Sequence, residues 1–211
     1  MIIALESASS DPSIALAAPD GTAIGNDGWS SGARGGSDLL PRLLELLASE
    51  RRELRRATAV AVGIGPGSFT GLRVAMSLAK GLAMAFSIPV VGVPSLEAWL
   101  AAEPAASAAM ARAGAREAFL LLRGEAEPLI RSRVDLATIL AGKRIVAPTE
   151  LAGSFQLVDT IPPHRAALAV AIAAAVRLAA DPDGDNLDRL EPAYLQAPRG
   201  IGPSAEVAPW P

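Results

Sequence analysis

Cysteine is absent from the 211 residues. Disulfides and thiolate metal ligands are therefore unavailable, and the chain fits a reducing cytoplasm. Histidine occurs once, at His164, which argues against a histidine-built metal centre and against a Ser-His-Asp triad within one chain. Aromatics make up only 4%, so the core has to be built from Ala, Leu, Val and Ile with close helix packing. Charged residues reach 19%, below the roughly 25% usual for globular domains. The formal net charge of −3 offers no basic field for gripping a phosphate backbone unaided. The longest apolar run lies within Ala166–Ala180, is broken by Arg177 and is shorter than the roughly 20 residues of a membrane span. Met1–Glu6 has no basic segment and does not read as a signal peptide. The remaining composition, 51% hydrophobic, suits one compact unit or two small lobes with a real core.

The most unusual backbone is Gly63-Ile-Gly-Pro-Gly-Ser-Phe-Thr-Gly-Leu-Arg73. An apolar, β-branched strand, Thr58–Gly63, precedes it, and apolar residues at helical spacing follow from Phe69 to Phe86. A strand, a glycine loop and a helix N-terminus in that order can cradle an anion, because backbone N–H groups and the helix dipole converge there. The same glycines also permit a tight corner that only packs. The loop is not a Walker A, lacking Gly-Lys-[Ser/Thr], and it misses the dinucleotide fingerprint at Ser68. Arg73 is the one cation near enough to serve an anion; a salt bridge is its simpler use.

Before the loop, Ile2–Ala8, Ile14–Ala18 and Thr22–Ile24 form three apolar segments separated by two short turns, which predicts an antiparallel meander. Gly25–Gly36 is polar and reads in its later part as a mobile surface loop around Trp29. Ser37 or Asp38 caps a helix through about Arg52, with Pro41 in its first turn. Its leucines (39, 40, 43, 44, 46 and 47) exceed one stripe, so it is either deeply buried or part of an interface. Arg51-Arg-Glu-Leu-Arg-Arg56 could touch nucleic acid, but interleaved Glu50 and Glu53 favour a solvated helix end.

In the helix after the loop, Gly71, Ala75, Ala79 and Ala83 form a small-residue ridge open to close helix approach. Ile88–Val93 is a strand, and Ser95 caps Leu96–Ala102. From Glu103 the texture becomes Ala-rich, which places a lobe boundary there: residues 1–102, then 103–211. In the second part Ala105–Ala113 is ambiguous between helix and strand. Ala118–Leu122, Leu129–Val134, Lys143–Ala147 and Phe155–Val158 read as strands. Asp135 caps a short helix to Ala141, and a last helix runs from Pro162 to Ala180. The tail beyond Leu195 is Pro/Gly-rich and frayed.

No carboxylate pair, Ser/Lys pair or metal cluster emerges, so neither catalytic nor metal residues are assigned. Glu6, ending the first strand, could hold a metal-bound water or face solvent. Asp11 and Asp20 read as turn residues, and His164 as surface punctuation at a helix start.

Gly65-Pro-Gly-Ser-Phe-Thr-Gly-Leu-Arg73 followed by Ala79-Lys-Gly-Leu-Ala83 resembles the signature of the TsaB (YeaZ) family. That family is the bacterial partner subunit in making threonylcarbamoyladenosine on tRNA. Ile2-Ile-Ala-Leu-Glu-Ser-Ala8 with Ser13–Leu16, Ser37-Asp-Leu-Leu-Pro41 and Glu191-Pro-Ala-Tyr-Leu-Gln196 are similar to its other motifs. The chain departs from the pattern at Glu6 (Asp in the family), Gly36 (His), Gly114-Ala115-Arg116 (Asp-Ala-Arg) and Gln196 (Arg).

The resemblance implies an α/β, actin-like ATPase fold of the ribonuclease H-like, sugar kinase and Hsp70 superfamily, with two related lobes of mixed sheets. It implies a cytoplasmic, non-catalytic partner of a TsaD-like catalytic subunit and a TsaE-like ATPase, meeting tRNA through the complex and forming a homodimer when alone. It further implies helix-to-helix pairing through Leu39, Leu40, Leu43, Leu47, Leu72, Arg73, Ala75, Met76, Ala79 and Leu82. No cofactor is expected to bind this chain tightly. ATP or ADP at a subunit junction would meet Gly65, Pro66, Gly67, Ser68, Thr70 and Gly71. The alternative is an ATP-dependent small-molecule kinase or transferase of the same fold. A metalloprotease label, attached to relatives of the family, is disfavoured by the missing metal ligands.

Overall fold

The structure is a computed structural model and describes residues 1–31 and 38–193. Among the described residues, two five-stranded sheets carry six α-helices. The first sheet has the order β3-β2-β1-β4-β5, built from β1 (Ile2–Glu6), β2 (Ser13–Ala17), β3 (Ala23–Gly28), β4 (Ala59–Gly63) and β5 (Val90–Val93). β1, β2 and β3 pair antiparallel, whereas β4 and β5 join in parallel. The second sheet has the order β10-β9-β6-β7-β8. Its strands are β6 (Ala108–Arg112), β7 (Glu117–Leu122), β8 (Leu129–Ser132), β9 (Ile145–Val146) and β10 (Thr160–Ile161). It too is an antiparallel meander extended by two parallel strands. The chain thus runs one topology twice without repeating its sequence.

Among the helices, α1 (Leu39–Ser49) and α2 (Phe69–Phe86) cover the first sheet, while α3 (Ser95–Ala102) lies between the sheets, with Ala98 against the first and Leu96 and Trp99 against the second. Then come α4 (Arg133–Ile139), α5 (Thr149–Phe155) and α6 (Ala166–Ala180). Strand alternation sorts the first sheet into two faces of different texture. Ile3, Leu5, Ile14, Leu16, Val60 and Val62 point to α1 and α2 and pack with Leu39, Leu43, Ala75 and Ala79. Ile2, Ala4, Ala15, Ala17, Ala59 and Ala61 point the other way, and the alanines of α6 pack on them. Small residues on both partners let helix and sheet approach closely, which is how a chain poor in aromatics fills its core. α6 follows the second sheet in sequence and covers the first in space, beside α3. Between the sheets, fully buried Trp99 packs with Leu72, Leu96, Phe119 and Leu121.

Several boundaries differ from the sequence-based expectation. β3 extends to Gly28 because the ladder to β2, Ile14 opposite Asp27 and Ser13 opposite Gly28, overrides the weak strand propensity of Asn26 and Asp27. α1 ends at Ser49, not Arg52, and Asp38 at its start makes no side-chain cap. The ambiguous stretch 105–113 contains β6. α4 starts at Arg133 and is capped by Ser132, whose Oγ accepts from Asp135 N at 3.3 Å, so Asp135 is not the cap. The strand expected at Phe155–Val158 is absent: Phe155 ends α5, and the strand comes later, at Thr160–Ile161. Ser37 and the tail from Tyr194 onward lie outside the described residues. No helix among the described residues is long and apolar enough to cross a membrane.

Candidate functional site

The glycine stretch forms a corner between β4 and α2, and the residues that follow β1 run directly beneath it. A Cβ on Gly71 would overlap the carbonyl oxygen of Ser7, one on Gly67 that of Ala8, and one on Gly63 the carboxylate of Glu6. Gly65 adds a φ of +96°, a conformation that side chains disfavour. Both ends of the corner are tied down. Ser68 N donates to Ala8 O at 2.6 Å, and Gly65 N donates to Ser95 Oγ at 3.0 Å. Ser68 caps α2 by accepting from Gly71 N at 3.2 Å. The glycines are therefore explained by close backbone approach within this chain. Gly71→Ala should lower stability by about 1–3 kcal/mol through forced overpacking. A denaturant midpoint equal to that of the unmodified protein would show that the corner can yield.

Glu6 is 1% exposed. Its Oε1 accepts from Ala8 N at 2.7 Å, while Oε2 has no hydrogen-bond partner among the described residues. Burial pushes its pKa up to about 7, against the opposing pull of the Ala8 N–H and the nearby Ser95 and Trp99 side chains. Glu6 does not face solvent. It is a buried acid beneath the corner that carries α2.

Beside the corner, a cleft of about 440 Å³ opens between the two sheets. Ser9, Ser10, Ser68 and Thr70 line one wall, and Arg112, Gly114 and Glu150 the other. Arg112 is held by Glu150 Oε1 at 2.9 Å and Ser154 Oγ at 3.0 Å. Asp11 lies next to this cleft with its side chain fully buried. It joins the first sheet to Thr149 at the start of α5 and lies near His164, whose Nε2 is 3.4 Å from its Oδ1. Reading Asp11 as a turn residue missed this, because its partners lie far along the chain. Among the described residues no group of three or more His, Asp or Glu is placed to hold a metal.

The ten residues expected at an interface separate sharply by burial. Leu39, Leu43, Leu47, Ala75, Met76, Ala79 and Leu82 lie in this chain's own core beneath α1 and α2, and Leu72 lies in the core between the sheets. Their positions are buried, so the ridge of Gly71, Ala75, Ala79 and Ala83 faces inward rather than outward. Leu40 and Arg73 are exposed, with Arg73 stacked over the Phe69 ring at 3.9 Å. The outer surface of the helix layer is made instead by Leu40 and Leu44 on α1, and by Ser77, Gly81, Met84 and Ala85 on α2. Exposure reaches 48% at Leu44 and 67% at Met84. Helical spacing identified the stripes but not which of them faces the sheet. Of the expected nucleotide residues, Gly67, Ser68 and Thr70 line the cleft, whereas Gly65, Pro66 and Gly71 are buried behind it. Among the departures from the family pattern, Ala115 is exposed in the β6–β7 turn, and Gly36 and Gln196 lie outside the described residues.

Comparison with known proteins bears on this arrangement. The family model "TsaD: tRNA N6-adenosine threonylcarbamoyltransferase" matches residues 36–154, more than half of the chain. The tRNA threonylcarbamoyladenosine biosynthesis protein TsaB of Escherichia coli is 40% identical over 58 residues, 28% of this chain and 25% of that protein. The matched stretch thus spans about a quarter of the length of this curated relative. The solved structure of YeaZ from Pseudomonas aeruginosa superimposes with a TM-score of 0.64 at 23% identity, covering 92% of this chain and 99% of that one. The activator of 2-hydroxyisocaproyl-CoA dehydratase from Clostridium difficile, solved with bound ADPNP, shares the fold at TM-score 0.50 and 11% identity, covering 88% and 98%. The doubled topology is accordingly the actin-like ATPase fold. With that fold, the glycine corner and a family match over more than half of its residues, this chain belongs to the TsaD-type threonylcarbamoyltransferase family, as a homologue of TsaB (YeaZ).

Proposed function

We propose that this protein is an accessory subunit of the system that attaches threonylcarbamoyl to the adenosine next to the anticodon of tRNA. It does no chemistry alone and docks on a TsaD-like catalytic subunit through the outer surface of α1 and α2. The observation that carries this reading is that surface: Leu40 and Leu44 are exposed on α1, and Met84 is exposed on α2 together with the small residues Ser77, Gly81 and Ala85. Large apolar groups next to a low ridge suit a helix of another chain. When the partner is absent, the same surface pairs with a second copy. Any ATP or ADP sits at the subunit junction near Gly67, Ser68 and Thr70, at the mouth of the cleft. TsaD-like and TsaE-like subunits should modify tRNA efficiently only when this chain is added. Equal modification with and without it would overturn the proposal.

The cleft itself favours the alternative of an ATP-dependent kinase or transferase, since it joins the first turn of α2 to Arg112. Against it stands Arg112 itself, already occupied by Glu150 and Ser154. Turnover of ATP by the purified chain, with or without candidate small-molecule acceptors, decides between the two.

A further inference from the structure

The helix α5 lacks a cap of its own. Pro148 stands at its N-cap position and makes no side-chain cap bond. The cap comes from the other sheet: Thr149 N donates to Asp11 Oδ2 at 2.6 Å and the Thr149 hydroxyl to Oδ1 at 3.2 Å. The hydroxyl of Ser30, just beyond β3, also donates to Oδ1. A buried carboxylate on the turn between β1 and β2 thus satisfies the first turn of a helix belonging to the second sheet. The bond lies beside the cleft, because Ser9 and Ser10 on one wall directly precede Asp11, and Pro148 and Glu150 on the other flank Thr149. The same helix carries Glu150 and Ser154, the two side chains that hold Arg112.

We propose that Asp11 is a clasp across the cleft, whose bond to Thr149 joins the two sheets and, by capping α5, keeps Arg112 occupied by Glu150 and Ser154. With the clasp closed, the arginine of the cleft wall is neutralised within the chain. With it open, the first turn of α5 loses its cap, Glu150 loses its fixed position, and the Arg112 guanidinium is released toward the cleft. The clasp therefore ties the width of the cleft to the availability of its arginine. It does not depend on the proposed partnership, and its test requires no partner.

The test uses the full chain in three forms: unmodified, Asp11→Ala and Thr149→Pro. The second variant removes both the N–H and the hydroxyl that meet Asp11, at the first position of α5, where proline is tolerated. The ψ of 142° at Pro148 suits a following proline. It keeps the test decisive if Asp11→Ala fails to fold. Two quantities are read: amide hydrogen exchange over 149–155, and the rate at which phenylglyoxal modifies Arg112. Arg55 and Arg56, with side chains 72% and 78% exposed, serve as internal references. In the variants, α5 should exchange at least about tenfold faster, as local opening without a cap demands. Arg112 should react several-fold faster relative to the references, while exchange in β1, β2, β4 and β5 stays as it was. Unchanged α5 exchange, unchanged Arg112 reactivity, or an acceleration spread evenly over both sheets each overturns the clasp.

Discussion

Between pH 5 and pH 8 this protein should lose stability, and replacing Glu6 with Gln should abolish most of that loss. Glu6 is buried, and its pKa is raised from 4.5 to about 7 in the fold. A raised acid pKa means that the native state binds the proton more tightly than the unfolded chain. The resulting stabilisation is complete below about pH 4.5, declines as pH rises, and is gone above about pH 7. A shift of this size corresponds to about 3 kcal/mol, or roughly 6–12 °C in melting temperature for a chain of this length. Gln is close in shape, keeps an oxygen to accept from Ala8 N, and has no charge to desolvate. Glu6→Gln should match the unmodified protein near pH 5 and exceed it near pH 8. The difference between the two melting curves isolates Glu6 from other titrating groups. Parallel pH profiles would show that the Glu6 carboxyl does not take up its proton in this range.

Replacing Leu44 or Gly81 with Arg should leave the isolated chain folded and abolish its pairing. Leu44 is 48% exposed, and a Cβ at Gly81 would meet nothing within 4 Å. Neither change disturbs the core. Each places a long cation where a partner helix has to come within 8–10 Å. A charge buried unpaired at such a contact should cost at least about tenfold in affinity for the TsaD-like subunit, and more near the centre of the contact. Gly81→Ala supplies the control. It removes a helix-breaking glycine from an open site and should raise the stability of the isolated chain by about 0.5–1 kcal/mol. Arginine at Leu43 or Ala79 would be uninformative, since both are 0% exposed and the change would unfold the protein. Undiminished capture of the catalytic subunit by Leu44→Arg and Gly81→Arg, measured on folded protein, would remove the outer face of α1 and α2 as the docking surface.

What the sequence made legible was local. The meander, the strand before the glycines and the bounds of α2, from Phe69 to Phe86, follow from turn residues and from apolar spacing. The glycine motif announced an unusual corner. What it could not announce was that Ser7 and Ala8 fill the space the missing side chains leave. The orientation of α1 and α2 was hidden for the same reason: small and large residues alternate around both helices, and only the sheet beneath decides which stripe is covered. α5 was missed because its cap, Asp11, lies 138 residues away. Glu6 read as a strand-end acid that either holds a metal-bound water or faces solvent. Its burial depends on α3, which delivers Ser95 and Trp99 around it.

The position of α6 has a consequence for how the protein is made. β5 completes the first sheet at Val93, but the face bearing Ile2, Ala4, Ala15 and Ala61 is covered mainly by residues 166–180, with Ala98 of α3 at its margin. A growing chain therefore carries a sheet with one largely uncovered apolar side while the entire second sheet is being synthesised. Exposed strands of this kind are where nascent proteins aggregate or recruit chaperones. The arrival of α6 is thus the step that ends the vulnerable period, and slowing translation before Ala166 would lengthen it.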